Sequence, residues 1–185
     1  MCANKITTKE EVLTFWFDEI SPEQWFKKDE HFDSMLAERA GTTVGKALNG
    51  QIDSWTETPD GAVGLVILLD QFTRNIFRDT PKAFSGDEMA LVVSLKSVDS
   101  YWFDKLPSMQ KYFLLMPMMH CEDIHIQDNS IALFAVHTNE LAQKYAVKHR
   151  NIVERFGRFP HRNAILGRPS TKEELEFLAQ PGSSF

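Results

Sequence analysis

The chain has 185 residues, of which 43% are apolar and 25% are charged, and its formal net charge is −6. This length predicts a single domain, residues 1–185, and the apolar share argues against a disordered chain. The net acidity opposes a broad nucleic-acid footprint, so we expect no nucleic-acid partner, and no apolar run is long enough to cross a membrane.

Cysteine usage and the N-terminus indicate the cellular compartment. The two cysteines, Cys2 and Cys121, do not make a disulfide framework, which fits a reducing environment. Residues 1–17 lack the apolar core of a secretory signal. We therefore expect a cytoplasmic protein with no membrane partner.

Signals for helix N-termini recur along the chain. A Ser or Thr residue followed three residues later by Glu or Gln, or directly by proline, indicates a helix start. Such signals begin at Thr8, Ser21, Thr58 and either Ser170 or Thr171. No stretch alternates with a period of two for long enough to predict a strand. The sequence therefore predicts an all-α fold of about seven to ten helices joined by short loops.

Apolar spacing predicts the helix bodies of the first half. One helix covers residues 32–48, and we expect Gly41 and Gly45 within it to mark close packing, since each weakens a helix by about 1 kcal/mol. The helix that begins near Thr58 is apolar on every side over residues 62–69. A helix with no polar face belongs in the middle of a domain. A buried strand is the competing interpretation, and the length of the pattern favours the helix.

Apolar spacing predicts four more helices in the second half. They cover residues 82–97, 106–117, 124–145 and 149–156. Pro117 is expected to kink or end the second of them, because proline lacks a backbone N–H. Gly157 is expected to stop the fourth, because glycine readily adopts the left-handed conformation of a helix C-terminus.

A first candidate cluster lies at the end of the apolar helix. If the helix continues, Asp70, Arg74 and Arg78 stand at i, i+4 and i+8 on one face. An acid and two arginines in such a helix need partners. They either line a binding site, or Asp70 and Arg74 form an ion pair between helices while Arg78 caps a helix end.

A second cluster combines His120, Cys121, Glu122 and Asp123 at a predicted helix junction. These groups suit acid–base chemistry, or Glu122 and Asp123 simply supply acids to the first turn of the next helix. Zinc is disfavoured because the chain has no CxxC pair, and His120 and His125 are five residues apart rather than four. We therefore predict no metal site and no cofactor.

A third cluster is a basic stretch within an acidic chain. Residues 148–168 contain six Lys or Arg and one acid, Glu154. Guanidinium forks suit carboxylate or phosphate, and histidine can carry a proton. The ligand-type side chains are Arg155, Arg158, His161, Arg162 and Asn163. The stretch predicts an anion-binding site or, alternatively, a network in which its arginines neutralise Asp70, Glu122 and Asp123.

Several motifs together carry a family resemblance. They are Leu68-Leu69-Asp70-Gln71-Phe72-Thr73-Arg74-Asn75, Phe84 with Asp87, Met116-Pro117 with His120 and Glu122, residues 155–163, Leu166-Gly167-Arg168 and Ser170-Thr171. In these residues the chain resembles the bacterial family known as domain of unknown function 924. The resemblance implies a single all-α domain of antiparallel helical hairpins in a tetratricopeptide-like superhelical arrangement, with no established activity. Cys121 stands where a serine is expected, which argues against a cysteine nucleophile.

The three clusters support two functional hypotheses and one structural alternative. In the first, they form one pocket for a small anionic metabolite, and His161, Glu122 or His120 moves a proton if there is a reaction. The predicted ligand-binding residues are Asp70, Arg74, Arg78, Asp123, Arg155, Arg158, Arg162 and Asn163. In the second, a helical-repeat module binds a peptide or an acidic tail. In the third, the motifs only stabilise the fold, so the residues alone leave open whether the protein is an enzyme.

Overall fold

The structure is a computed structural model that describes residues 5–183, so Cys2 lies outside the described residues. Every regular element within this range is helical, which confirms the predicted all-α fold. The α-helices are α1 (Lys9–Thr14), α2 (Pro22–Trp25), α3 (Glu30–Leu48), α4 (Pro59–Val66), α5 (Thr73–Ile76), α6 (Asp87–Val98), α7 (Ser108–His120), α8 (Ile124–His137), α9 (Glu140–Phe156) and α10 (Lys172–Leu178). Two π-helical segments are Phe15–Glu19 and Ile67–Phe72, and 3₁₀ turns are Asp53–Glu57, Pro81–Phe84, Phe103–Lys105 and Pro160–Arg162. Between residues 5 and 183, no helix combines the length and apolarity needed to cross a bilayer.

One continuous helix over residues 59–76 forms the centre of the core. It consists of α4, the second π-helical segment and α5, and residues 61–73 are all buried. Its N-terminus forms as predicted, because the Thr58 hydroxyl accepts a hydrogen bond from Gly61 N at 3.2 Å. The helix packs against α1, α3, α6 and α7. Four of its polar side chains therefore lie inside the protein: Asp70, Gln71, Thr73 and Asn75.

The charged side chains at the end of this helix do not all lie on one face. The helix ends at Ile76, and the next residue, Phe77, leaves the helical conformation. Asp70 and Arg74 remain paired, with 3.1 Å between Oδ1 and Nη1. Arg78 lies beyond the end of α5 and forms a two-bond ion pair with Asp33 of α3. The prediction that all three stand on one face is therefore wrong for Arg78.

Helices α7, α8 and α9 pack in sequence order, α7 on α8 and α8 on α9, and α7 also contacts α9. Their connections are short, so neighbours are antiparallel and α7 runs parallel to α9. α7 does not end at Pro117 but continues to His120, because residues 113–119 are buried and held by the surrounding helices.

The connection between α8 and α9 differs from the prediction. The single helix expected over residues 124–145 breaks at Thr138, which adopts an extended backbone. The Asn139 side chain then accepts a hydrogen bond from Ala142 N at 2.9 Å and begins α9. A side-chain cap therefore stopped a pattern that apolar spacing alone joined into one helix.

Close packing occurs at a different glycine from those expected. A Cβ atom at Gly41 or Gly45 would meet no atom within 4 Å, so the prediction that these glycines mark close packing is wrong. A Cβ atom at Gly86 would lie 2.3 Å from the carbonyl oxygen of Leu69. Glycine at this position lets the start of α6 approach the central helix, and this approach brings Asp87 next to Arg74.

Candidate functional site

Asp70 is a fully buried carboxylate in the π-helical segment. Its Oδ1 lies 2.8 Å from His120 Nδ1 and 3.1 Å from Arg74 Nη1, and its Oδ2 accepts a hydrogen bond from Gln71 Nε2 at 2.5 Å. Burial raises the pKa of Asp70, but the charge of Arg74 and the interactions with His120 outweigh this and hold the pKa well below its usual range. Asp70 is therefore ionised at neutral pH.

His120 ends α7 and is oriented by Asp70. Because Asp70 is ionised, the proton of the His120 ring belongs on Nδ1, which leaves the lone pair on Nε2. Nε2 forms no hydrogen bond to any residue in the described range, and 11% of the side chain is exposed. Burial lowers the pKa of His120, and the charges of Arg74 and Arg162 add to this, more than Asp70 raises it. The ring is therefore neutral at neutral pH, and Nε2 can accept a proton.

Two guanidinium groups share the carboxylate of Asp87 at the start of α6. Arg74 Nη1 and Nη2 donate to the two oxygens of Asp87 at 2.9 and 3.1 Å, and Arg162 Nη1 donates to Oδ2 at 3.2 Å. Arg74 and Asp87 keep about a fifth of their side-chain surface exposed, 21% and 22%. The cluster is therefore buried on one side and reachable from solvent on the other.

Arg162 is the buried cation of this cluster. Its guanidinium lies between two aromatic rings, 4.8 Å from the centroid of Phe84 and 4.6 Å from that of Phe159. Its Nη2 donates to the carbonyl of His120 at 3.1 Å, while its buried Nε has no hydrogen-bond partner among the described residues. Burial lowers the pKa of Arg162 to about 10, and the charge of Arg74 adds to this effect. Arg162 is therefore still a cation at neutral pH, but an incompletely satisfied one.

Two more histidines lie next to this cation. The ring of His149 is 5.9 Å from that of His120 and 5.6 Å from that of Phe159, which lies 5.7 Å from His161. Burial lowers the pKa of His149 to about 3 and that of His161 to about 4, with the charge of Arg162 as the next cause for His161. Both rings are therefore neutral at neutral pH.

Glu122 belongs to a second network that fixes the loop carrying Arg162. Its oxygens accept bonds from Arg168 Nη1 and Nη2 at 2.6 and 2.9 Å and from the backbone N–H of Phe159 at 2.7 Å. Burial raises the pKa of Glu122, but Arg168 and this N–H lower it below its usual range. An ionised carboxylate with both oxygens occupied is well suited to positioning and poorly suited to carrying a proton.

The remaining arginines of the basic stretch hold the C-terminal helix. Arg158 Nε and Nη2 donate to the two oxygens of buried Glu174 in α10 at 2.7 and 2.8 Å, and Arg155 Nε donates to Glu173 at 2.9 Å. Asn163 Nδ2 lies 3.3 Å from Glu174. The hydrogen bond from Arg158 is the main reason that the pKa of Glu174 falls to about 2. The basic stretch therefore docks α10 as well as contributing to the cluster.

Comparison with known families gives a clear match. The family model described as "Bacterial protein of unknown function (DUF924)" matches residues 12–182. The chain belongs to this family. The protein of unknown function ATU0120 from Agrobacterium tumefaciens has a similar structure, with a TM-score of 0.87 and 34% identity over 92% of this chain and 96% of that chain. No protein with a curated description matches the sequence.

The structure of this DUF924 member brings together some of the predicted site residues and separates others. Asp70, Arg74, His120 and Arg162 meet around Asp87, with His161 nearby, and Glu122 contacts them through the backbone of Phe159. The predicted residues outside this cluster are Arg78, Asp123, Arg155, Arg158 and Asn163. Their assignment as ligand-binding residues stays a prediction. Asp123 caps α8 and, with Glu122, lines an open depression of about 440 Å³.

The pairing partners were only partly predicted. The expected pairing of the basic stretch with acids of the other clusters holds for Glu122, which pairs with Arg168. Arg155, Arg158 and Arg162 instead pair with Glu173, Glu174 and Asp87. Asp87 was visible only as one residue of a family motif, because no spacing rule relates position 87 to positions 74 and 162. His149 carried no signal beyond its place on a helix. Within residues 5–183, no three His, Cys, Asp or Glu side chains are grouped to hold a metal ion.

Proposed function

We propose that this protein binds a small anionic ligand at the cluster of Asp70, Arg74, Asp87, His120 and Arg162, and that His120 acts as a proton acceptor there. The observation that carries the proposal is a neutral histidine, oriented by a buried carboxylate and open at Nε2, beside a buried guanidinium that is not fully paired. Purely structural ion pairs do not need this combination.

Arg162 supports the choice of an anion. A guanidinium has more N–H donors than the two hydrogen bonds described for Arg162. A buried donor without a partner costs roughly 1–3 kcal/mol, and more for a charged group. A carboxylate or phosphate bound beside these two arginines would partly relieve the repulsion between Arg162 and Arg74.

The Asp70–His120 pair supports a proton-transfer role. A carboxylate that accepts from one ring nitrogen fixes the tautomer and directs the basic nitrogen at the reacting group. Removal of a proton from water or from the ligand itself fits this arrangement. Burial raises the pKa of the Cys121 thiol, so this neighbour is a poor nucleophile at neutral pH. Glu122 and His161 are less suited, since Glu122 is paired and His161 binds a proton only in acid.

Thermal shift with sulfate, phosphate, acetate and succinate tests the binding step. A ligand at 100 times its dissociation constant stabilises by about 2.7 kcal/mol, or about 5–10 °C for a chain of this size. Arg162→Gln should abolish the shift, and Arg162→Lys should weaken it because lysine lacks the fork. Arg155→Gln is the matched control, since Arg155 lies in the same stretch but is half exposed. No shift with any anion, or an equal shift in Arg162→Gln, would overturn the proposal.

His120→Asn separates binding from proton transfer. The asparagine amide can still donate to Asp70, while the basic nitrogen is lost. We expect this variant to keep the anion-induced thermal shift and to lose any turnover found for the parent. Full turnover in the variant would remove His120 from the mechanism without touching the binding proposal.

A peptide-binding module is the second candidate. It would use the tetratricopeptide-like arrangement that the family resemblance implies, and the sequential packing of α6, α7, α8 and α9 favours it. In this candidate Arg155 and Arg158 clamp an acidic tail, but here they already bind Glu173 and Glu174 of α10. The chain's own acidic helix thus occupies these arginines, and we rank this candidate second. The cytoplasmic location remains part of the proposal.

A further inference from the structure

The last turn of α7, which carries His120, is held by side chains from outside the helix. The final carbonyl groups of a helix have no partner within it. Here the carbonyls of Met119, His120 and Cys121 each accept a hydrogen bond from a side chain of another element. Arg162 Nη2 donates to the carbonyl of His120, and Gln127 of α8 donates to the other two. One glutamine therefore fixes the backbone on both sides of the proposed proton acceptor.

Gln127 makes both contacts with a single amide group. Its Nε2 lies 2.6 Å from the carbonyl oxygen of Met119 and 2.8 Å from that of Cys121. An amide NH2 group has two N–H donors, so each carbonyl receives one. The opposite orientation of the amide would place Oε1 against two carbonyl oxygens, which would repel it. The end of α7 therefore determines how the Gln127 side chain is oriented.

The burial of Gln127 is unusual for its residue type. The buried side chains of α8 are Gln127, Ser130 and Phe134, and Gln127 has no exposed surface. Glutamine is mostly exposed in proteins, and a buried polar atom without a partner is destabilising. Oε1 of Gln127 is buried and has no hydrogen-bond partner within residues 5–183. An apolar side chain of the same length would avoid this penalty, so the two bonds to α7 are what a glutamine supplies at this position.

The backbone of His120 decides whether its ring reaches Asp70. Ring Nδ1 lies 2.8 Å from Asp70 Oδ1, an atom of the central helix. The next residue, Cys121, already has an extended backbone, so His120 is the last residue of its helix. Without Gln127, two of the three carbonyls at this end would lose their partners, and an unpaired helix end frays. The ring of His120 would then no longer be held against the carboxylate.

We infer that Gln127 is a positioning residue of the candidate site: it holds the backbone around His120, keeps Nδ1 on Asp70 and so directs the unprotonated Nε2 toward a ligand. Both of its hydrogen bonds go to backbone carbonyls, so it acts through α7 and not on the ligand. The inference rests on the proposed function for the role of His120. The contact that it assigns can nevertheless be measured without any ligand.

Replacing Gln127 with glutamate or methionine tests the inference in the full chain. Gln127→Glu has nearly the same shape but turns an acceptor toward two carbonyl oxygens, and Gln127→Met keeps the length while removing both donors. The ring nitrogens of His120 are followed by nitrogen NMR through a pH titration, and His120→Asn identifies their signals. In the parent we expect one neutral tautomer, with the proton on Nδ1, and a pKa below the usual range. In both variants we expect a mixture of tautomers and a pKa that moves back toward the ordinary value.

The same substitutions at Gln143 are the matched controls. This half-buried glutamine of α9 makes no side-chain hydrogen bond among the residues that the structure describes, so its variants should leave the His120 signals as in the parent. If the Gln127 variants melt earlier but keep the parent's tautomer and pKa, Gln127 only stabilises the fold and the inference is overturned.

The parent protein gives a check that needs no variant. Both side-chain amide protons of Gln127 should exchange slowly with solvent, because both are buried and bonded, and rapid exchange of either would overturn the inference. The anion-induced thermal shift is a separate measurement. Its absence in the parent would remove the proposed function, whereas an unchanged His120 in the Gln127 variants would remove only the positioning role.

Discussion

Replacing Asp70 with asparagine removes the charge on which the buried cluster depends. Breaking a buried ion pair by removing one partner costs about 3–5 kcal/mol. Arg74 keeps Asp87 as a partner, so we expect the lower end, about 3 kcal/mol. An asparagine also keeps only one acceptor oxygen, so it places an N–H opposite either His120 or Gln71, which donate to different oxygens of Asp70. For a chain of this size the melting temperature should fall by about 6–12 °C.

The pH dependence of this loss has a definite sign. The pKa of Asp70 is lower in the folded protein than in the unfolded chain, where it is about 4. Its stabilisation is therefore fully present above pH about 4 and is lost as pH falls further. The difference in unfolding free energy between the parent and Asp70→Asn should narrow in acid.

Thermal and urea unfolding followed by circular dichroism, at neutral pH and below pH 4, measures both effects. Asp104→Asn is the control, because the Asp104 side chain is 85% exposed and its loss should change stability by less than about 0.5 kcal/mol. If Asp70→Asn lowered the unfolding free energy by less than about 1 kcal/mol at neutral pH, Asp70 would not be a stabilising partner in a buried ion pair. A loss of the same size in acid would refute the assignment of the effect to the ionised carboxylate.

Two further predictions concern α10 and the glycines. Glu174→Gln should speed amide hydrogen exchange in residues 172–178, because Arg158 and Asn163 lose a charged acceptor; unchanged exchange there would contradict the docking role. The pKa of Glu174 is lowered to about 2, so the stability that its ionised carboxylate contributes is fully present above pH about 4. In the parent protein, amide exchange in α10 should therefore also become faster as pH falls toward 2. Gly86→Ala should destabilise the protein by about 1–3 kcal/mol, because the new Cβ atom would contact Leu69. Gly41→Ala should stabilise the protein by about 1 kcal/mol, because the position is open and alanine favours the helix. Urea unfolding measures both free energies, and changes of the same sign in the two variants would contradict the packing described for these glycines.

The helix starts could be predicted because their causes are local. The capping box of Thr8 with Glu11 and that of Thr171 with Glu174 both form as the sequence indicates. The central helix was predictable because an apolar run with no polar face has one stable location. The break at Thr138 was not, since a single Asn cap competed with an otherwise continuous apolar pattern.

The candidate site could be predicted in its residue types but not in its pairing. Asp70, His120 and Arg162 each stood out as charged or titratable groups beside apolar segments. Nothing in the sequence shows that Asp87 accepts from both Arg74 and Arg162, or that Arg158 belongs to α10. These contacts join positions far apart in the chain, and many acids offered comparable partners.

The sequence by itself determined that this chain forms helices, where most of them begin, and which segments carry charge into an apolar core. Caps, proline and apolar periodicity act over a few residues, so their effect can be calculated from neighbours in the chain. Only the tertiary structure decided that Asp70 contacts His120 and that Arg78 pairs with Asp33. Only there, too, do His120 of α7 and His149 of α9 meet, with 5.9 Å between their rings, because the relative placement of two helices depends on the packing of the whole core.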